Sequence, residues 1–227
     1  MNGLSHRSYD RLTRDNSALL LIDYQVGLLW DMNAPDVTRS ALALAQAAKI
    51  LGVPTIVTAT VPQFWGPTLP ELVAALPGAG IINRTAVNPW TDSAVRTAVQ
   101  QIGRSKLIIS GFSVDVAVAL AALAARADGF DVYVAMDASG SVFPDPQTTV
   151  APRLMQAGVI VANAGPLVLE MLDDCADARA RDVYTALDLP FAPLLAQPFS
   201  PDRPIAPRAL PFTGTILSEG RRMHTHR

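Results

Sequence analysis

KLIISGFSVDVAVALAALAARADGFDVYVAM, residues 106–136, reads in one pass as strand, helix, strand. KLIISG (106–111) is a short apolar run without helical period, closed by Gly111. From 114 to 128 alanine, valine and leucine follow one another with no glycine or proline, a length that suits a helix and not a strand. FDVYVAM (130–136), after Gly129, is β-branched and aromatic, as a strand on a pleated, buried surface should be. Two strands joined through a helix lie parallel in one sheet, with a right-handed crossover.

The same alternation extends outward. SALLLIDY (17–24) reads as a first strand and 37–51, rich in Ala and Leu, as a helix; Gly52 and Pro54 then punctuate before the strand TIVTAT (55–60). A short helix over 69–76, a third strand over 80–84, and a helix over 91–103 follow, the last with Thr91 as N-cap and Gly103 as its stop. Helix, strand and helix over 146–157, 159–162 and 166–174 complete the pattern. Strands apolar on both faces belong to a parallel sheet covered on both sides. The expected fold is therefore α/β: a three-layer, doubly wound sheet of about six parallel strands with helices on both faces. Residues 1–177 are expected to form this domain. Residues 178–227 form a proline-rich C-terminal arm, too apolar for a solvated tail and expected to pack on its own domain or on a neighbouring subunit. Ligands of such sheets bind at the carboxyl ends of the strands, beside the point where the winding reverses.

Composition removes several function classes. The net charge is −2 and the 18 basic residues form no dense block, so no nucleic-acid partner is expected. No apolar run is long enough to span a bilayer, and the polar start lacks the apolar stretch of a signal peptide, so no membrane partner and a cytoplasmic location are expected. A single cysteine, Cys175, excludes an internal disulfide framework and a multi-cysteine metal site. His6, His224 and His226 are confined to the terminal segments, which disfavours any His-dependent triad. No His/Asp/Glu cluster has metal-ligand spacing, and neither a dinucleotide fingerprint nor a phosphate-binding P-loop is present; no metal and no cofactor are expected.

Chemistry should then come from residues just after the strands. Asp23 closes the first strand, where burial requires that it be paired or that its pKa rise, as suits a general acid or base. Arg84 follows the third strand and could pair with Asp23 or hold an anionic group. Residues 111–118 run from the fourth strand into a helix whose first backbone N–H groups could hold an oxyanion. Ala117 lies about one turn into that helix, with no chemistry of its own. Trp65, in a Gly/Pro-rich loop, is read with Trp30 and Trp90 as a wall of an apolar pocket, and Gln25, Ser113 and Val114 complete the expected substrate-binding set.

As a set, ALLLIDYQVGLL (18–29), LGVPTIVT (51–58), NRTAVNPW (83–90), KLIISGFSVDVAV (106–118), GFDVYVAMDASGS (129–141) and RLMQAGV (153–159) resemble the isochorismatase-like hydrolase superfamily, often called cysteine hydrolases. The resemblance covers residues 16–174. It implies a catalytic Asp at Asp23, a Lys or Arg at Arg84, and a nucleophilic Cys at the position held here by Ala117. It also implies a cis peptide ahead of the nucleophile, between Ser113 and Val114, and assembly as a homo-oligomer. The family's metal-dependent branch carries an Asp/His/His motif after the second strand, where this chain has Thr60-Val61-Pro62-Gln63-Phe64-Trp65. In the mechanism implied, Asp23 takes the thiol proton and the thiolate attacks an amide carbonyl. Ala117 removes the attacking atom, and Arg84 in place of Lys keeps the charge but cannot shuttle a proton. Three readings follow: a Cys-to-Ala inactive form of a small-molecule amidohydrolase, a naturally Cys-free hydrolase of the vinyl-ether type, or a non-catalytic relative that binds a small molecule.

Overall fold

In the computed structural model, which describes residues 10–29, 35–143 and 145–192, the apolar runs pair as one six-stranded parallel sheet. The strands are β1 (Ser17–Ile22), β2 (Thr55–Thr60), β3 (Ile81–Arg84), β4 (Lys106–Gly111), β5 (Asp131–Ala135) and β6 (Ile160–Ala162), in the order β3-β2-β1-β4-β5-β6. The winding therefore reverses between β1 and β4, where a doubly wound sheet opens a crevice at its carboxyl edge.

Successive side chains of a strand point to opposite faces, and β1 divides the core accordingly. Leu19 and Leu21 enter one cluster, with buried residues of α2 (Pro35–Leu51), α4 (Pro70–Ala75), α8 (Ala164–Leu172) and α9 (Ala180–Ala186). Ala18, Leu20 and Ile22 enter the other, with those of α5 (Ser93–Ile102), α6 (Ala119–Ala127) and α7 (Pro146–Gln156). Every residue of β1 and β4 is buried, which explains why their runs are apolar throughout and do not alternate. Two short helices, α1 (Val26–Leu29) and α3 (Pro62–Trp65), pack together where the chain leaves β1 and β2.

Several local expectations are corrected. β1 ends at Ile22, so Asp23 and Tyr24 leave the ladder. Asp92 and not Thr91 caps α5, its carboxylate accepting from the Ala94 and Val95 amides, because Thr91 belongs to a 3-10 turn over Pro89–Thr91. The helix after β4 opens as a π-type turn, Val114–Val118, before continuing as α6. The cis peptide is Phe112–Ser113, one bond earlier than Ser113–Val114.

Beyond residue 177 the chain enters α9, which buries Ala180, Val183 and Tyr184 against α2 and α8. The proline-rich arm beyond Ala192, together with Trp30, lies outside the described residues. Among the described residues no helix is long and apolar enough to cross a membrane.

Candidate active site

Strand register brings Asp23 and Arg84 together. Ile22 pairs with Thr58 on one side and Gly111 on the other, and Thr60 pairs with Arg84. Asp23, one residue past Ile22, therefore lies beside Thr58 and the end of β4, while Arg84 reaches across β2 to meet it. Asp23 takes a left-handed backbone, φ 57°, and its side chain is buried. One carboxylate oxygen accepts from Thr58 Oγ1 at 3.0 Å and the other from an Arg84 Nη. The second Nη of Arg84 donates to the Ala86 carbonyl, which leaves Nε buried without an acceptor.

Burial pushes the Asp23 carboxyl above its ordinary 3.8, more strongly than the Arg84 charge and the Thr58 and Arg84 hydrogen bonds pull it down. Burial likewise lowers Arg84, against the pull of Asp23. A folded state that holds the Asp23 proton more tightly than the unfolded chain gains stability when that proton is bound. That contribution is lost as pH rises from the ordinary carboxylate range through the raised value. In a series of thermal melts the stability of the parent relative to Asp23→Asn should therefore fall as pH rises through this window. An unchanged difference would show that Asp23 titrates as a free carboxyl.

The third component follows β4. Gly111 passes into Phe112, Ser113 and the π-type turn, on which Ala117 is 7% exposed. This turn is sewn to the β5–α7 loop: the Val114 amide donates to the Gly140 carbonyl at 2.8 Å, and the Gly140 amide to Gly111 at 3.1 Å. Asp115 accepts from Ser113 Oγ at 3.0 Å and from Ser141 Oγ. Tyr24, next to Asp23, ties β1 to the same loop through a hydroxyl within hydrogen-bond distance of Ser110 Oγ and the Ala138 carbonyl.

The expected substrate-binding residues divide. Trp65, at the end of α3, is exposed at the carboxyl edge, and Ser113 borders the π-type turn. Val114 is fully buried, its amide held by the Gly140 carbonyl and its carbonyl by the Ala119 amide. Gln25 is a clamp and not a ligand contact: fully buried, its amide accepts from the Thr60 N–H and donates to the Gly66 carbonyl, both at 2.7 Å. Trp90 is not a pocket wall. It is buried, bonds Asp128 through Nε1 at 2.7 Å and meets Phe130 edge to face at 5.4 Å. Asp128 lies eleven residues along the chain from Ala117, roughly 16 Å at an α-helical rise, so the indole is bonded at the far end of α6.

Residues 17–165 match the model of the isochorismatase domain. The chain belongs to the isochorismatase family. Within this family it is 38% identical over 159 residues to the "Probable hydrolase YcaC" of Escherichia coli, covering 67% of this chain and 76% of that protein. It is 28% identical over 182 residues to isochorismatase domain-containing protein 2 of Danio rerio, covering 79% and 91% respectively. Among solved structures, YcaC from Pseudomonas aeruginosa with hexane-2,5-diol and covalent acrylamide superposes with a TM-score of 0.77 at 32% identity, over 84% of this chain and 97% of that one. The Escherichia coli YcaC structure, described as an octameric hydrolase of unknown specificity, also gives 0.77 at 32% identity, over 84% and 96%.

Three residues of the candidate site in this isochorismatase-family chain escaped sequence reasoning. Thr58 stands in TIVTAT, where a threonine reads only as a strand former. Asp115 and Ser141 lie within SGFSVDVAV and DASGS, and nothing in their spacing announces that the two side chains meet.

Proposed function

We propose that this isochorismatase-family chain is a hydrolase scaffold for a C–N bond of a small amide-like molecule, with Ala117 at the place of the attacking nucleophile. The observation that carries this reading is the buried Asp23–Arg84 pair, held at the ends of β1 and β3 beside the crevice where the helix bearing Ala117 begins. With a thiol at 117, Asp23 would take its proton and the thiolate would add to the carbonyl carbon. Backbone N–H groups of the helix start would hold the oxyanion, and the departing amine would leave with the proton from Asp23. Water would then cleave the thioester. With alanine at 117 the covalent route is closed, and the chain as written binds without that step.

A second reading rests on the raised pKa of Asp23. Burial that raises a carboxyl suits it to give up a proton as a general acid, and hydrolysis by acid and water, as of a vinyl ether, needs no nucleophile. By likeness to octameric YcaC of Escherichia coli, the proposal includes a homo-oligomer acting on a small molecule in the cytoplasm.

Acrylamide alkylates thiols, and a YcaC relative holds it covalently. The Ala117→Cys variant, treated with acrylamide near neutral pH and mapped by peptide mass spectrometry, should be modified at 117 faster than at the exposed Cys175. Adding Asp23→Asn should remove that advantage, since thiolate formation sets the rate. Modification of Cys175 alone would sink the assignment of position 117.

A further inference from the structure

On the face of the sheet away from α6, three helices leave a groove. α4 and α9 each pack on α2, and the groove runs between them. Ile50 of α2, Ala74 and Ala75 of α4 and Ala186 of α9 line it. Three of these four are alanines, with no side chain beyond Cβ, so the space between the helices stays unfilled. It encloses about 440 Å³ and opens to solvent. Lys49 and Asp182 stand at its rim, both exposed and neither ion-paired among the described residues. No polar side chain that lines it is buried, so it is not built to orient a small ligand.

The chain itself arrives at this groove. After α9 it turns back, the Leu189 amide donating to the Tyr184 carbonyl at 3.1 Å and the Ala192 amide to the Leu189 carbonyl at 3.0 Å. Phe191 meets the Tyr184 ring edge to face, 5.4 Å between centroids, and Ala192 is buried in the cluster that holds residues of α2 and α9. Residue 193 therefore starts beside α9, one wall of the groove. The sequence from there, PLLAQPFSPDR (193–203), supplies Leu194, Leu195 and Phe199 in close succession. Its prolines bar it from a helix interior or a central strand, so an existing surface must take those side chains out of water. Reach is ample: α9, of seven residues, is about 10 Å long, and seven extended residues span up to roughly 23 Å. Asp202 and Arg203 bring one charge of each sign, as does the rim with Lys49 and Asp182.

We propose that residues 193–203 occupy the α2–α4–α9 groove of their own chain, with the two leucines on Ile50 and the alanines. Attachment at residue 192 gives this segment a roughly millimolar effective concentration at the groove, an advantage that an untethered partner lacks. The proposal is independent of what the carboxyl edge of the sheet binds or cleaves.

The photo-cross-linking residue p-benzoylphenylalanine, placed at the exposed position of Ala74 in the full chain, tests this. Met155, exposed on α7 at the other face of the sheet, is the control position. Irradiation should join position 74 to a peptide within 193–203, in a product that keeps the mass of one chain on a denaturing gel. From position 155 no link to that segment should form. Leu194→Asp/Leu195→Asp should cut the yield at least about tenfold, since burying one leucine is already worth about that factor. Circular dichroism checks that each variant keeps the parent's fold, and the same probe at Thr185, exposed on α9, repeats the measurement from the opposite wall if the Ala74 variant misfolds. A link to 193–203 at the mass of two chains would overturn the proposal, because the arm would then be a neighbour's. So would a link to any other segment of a second copy, no link to 193–203 from either wall, or a yield indifferent to the leucine substitutions.

Discussion

Gly111→Ala is expected to abolish the fold under conditions where the parent is stable. Gly111 is the last residue of β4, paired with Ile22 in the central strand, and a Cβ added there would lie 2.2 Å from the Ile22 carbonyl oxygen and 2.6 Å from its Cβ. Neither neighbour is the free end of a flexible side chain. Relief would require β1 and β4 to part, breaking the bond from the Phe112 amide to Ile22 (2.9 Å) and displacing Asp23 one residue on. Ordinary overpacking of a core costs about 1–3 kcal/mol, and this site has no route to relax, so the loss should exceed about 4 kcal/mol. Out of a typical stability of roughly 5–15 kcal/mol, that leaves little or nothing. Gly103→Ala is the matched control. It sits at φ 70° with open space around its Cβ position, so only the left-handed backbone is penalised, by about 1–2 kcal/mol. Urea unfolding of the two variants beside the parent separates a steric requirement at Gly111 from a conformational one at Gly103. A Gly111→Ala protein within about 1 kcal/mol of Gly103→Ala would contradict the packing described at the switch point.

The architecture was legible because burial on both faces forces a parallel strand to be apolar along its whole length. Two of the strand spans, 55–60 and 106–111, coincide with those read from their apolar and β-branched runs. Ends were harder. Asp23 reads as the tail of a strand, yet its left-handed φ turns the chain out of the strand after its amide has bonded the Thr58 carbonyl, while its side chain meets Thr58 and Arg84. Thr91 and Asp92 are both good caps, and the choice between them depended on the 3-10 turn that consumes Thr91. The π-type turn at Val114–Val118 has no sequence period of its own.

The candidate site was legible only in part, for a related reason. Asp23 and Arg84 could be placed because an ionisable group at the end of a buried strand has few alternatives to pairing. Gln25 and Trp90 went astray because polarity and aromaticity say nothing about where a side chain points. Gln25 turns both ends of its amide to the backbone of the β2–α4 connection, and Trp90 turns into the core. The contacts of Asp115 with Ser113 and Ser141 join residues up to 26 positions apart through the pairing of β4 with β5. No local pattern encodes such a contact.

The second large effect concerns residue 117. Removing a covalent nucleophile from an enzyme of this kind of chemistry costs a factor of order 10⁶, so restoring one to an otherwise intact site should recover several orders of magnitude. In the proposed reading the remaining parts are a buried carboxyl raised by burial, a guanidinium bonded to it, and a helix start tied down by Gly140 and Asp115. The vinyl-ether reading expects the opposite pattern, with activity dependent on Asp23 and indifferent to residue 117. A binding protein expects occupancy without product.

The measurement that separates them is product formation from a panel of small amides, followed by mass spectrometry, for the parent, Ala117→Cys and Ala117→Cys/Asp23→Asn. The account predicts no covalent turnover in the parent, clear turnover in Ala117→Cys, and its loss when Asp23→Asn is added. A folded Ala117→Cys protein that yields no product from any amide, or turnover that survives Asp23→Asn, would contradict it.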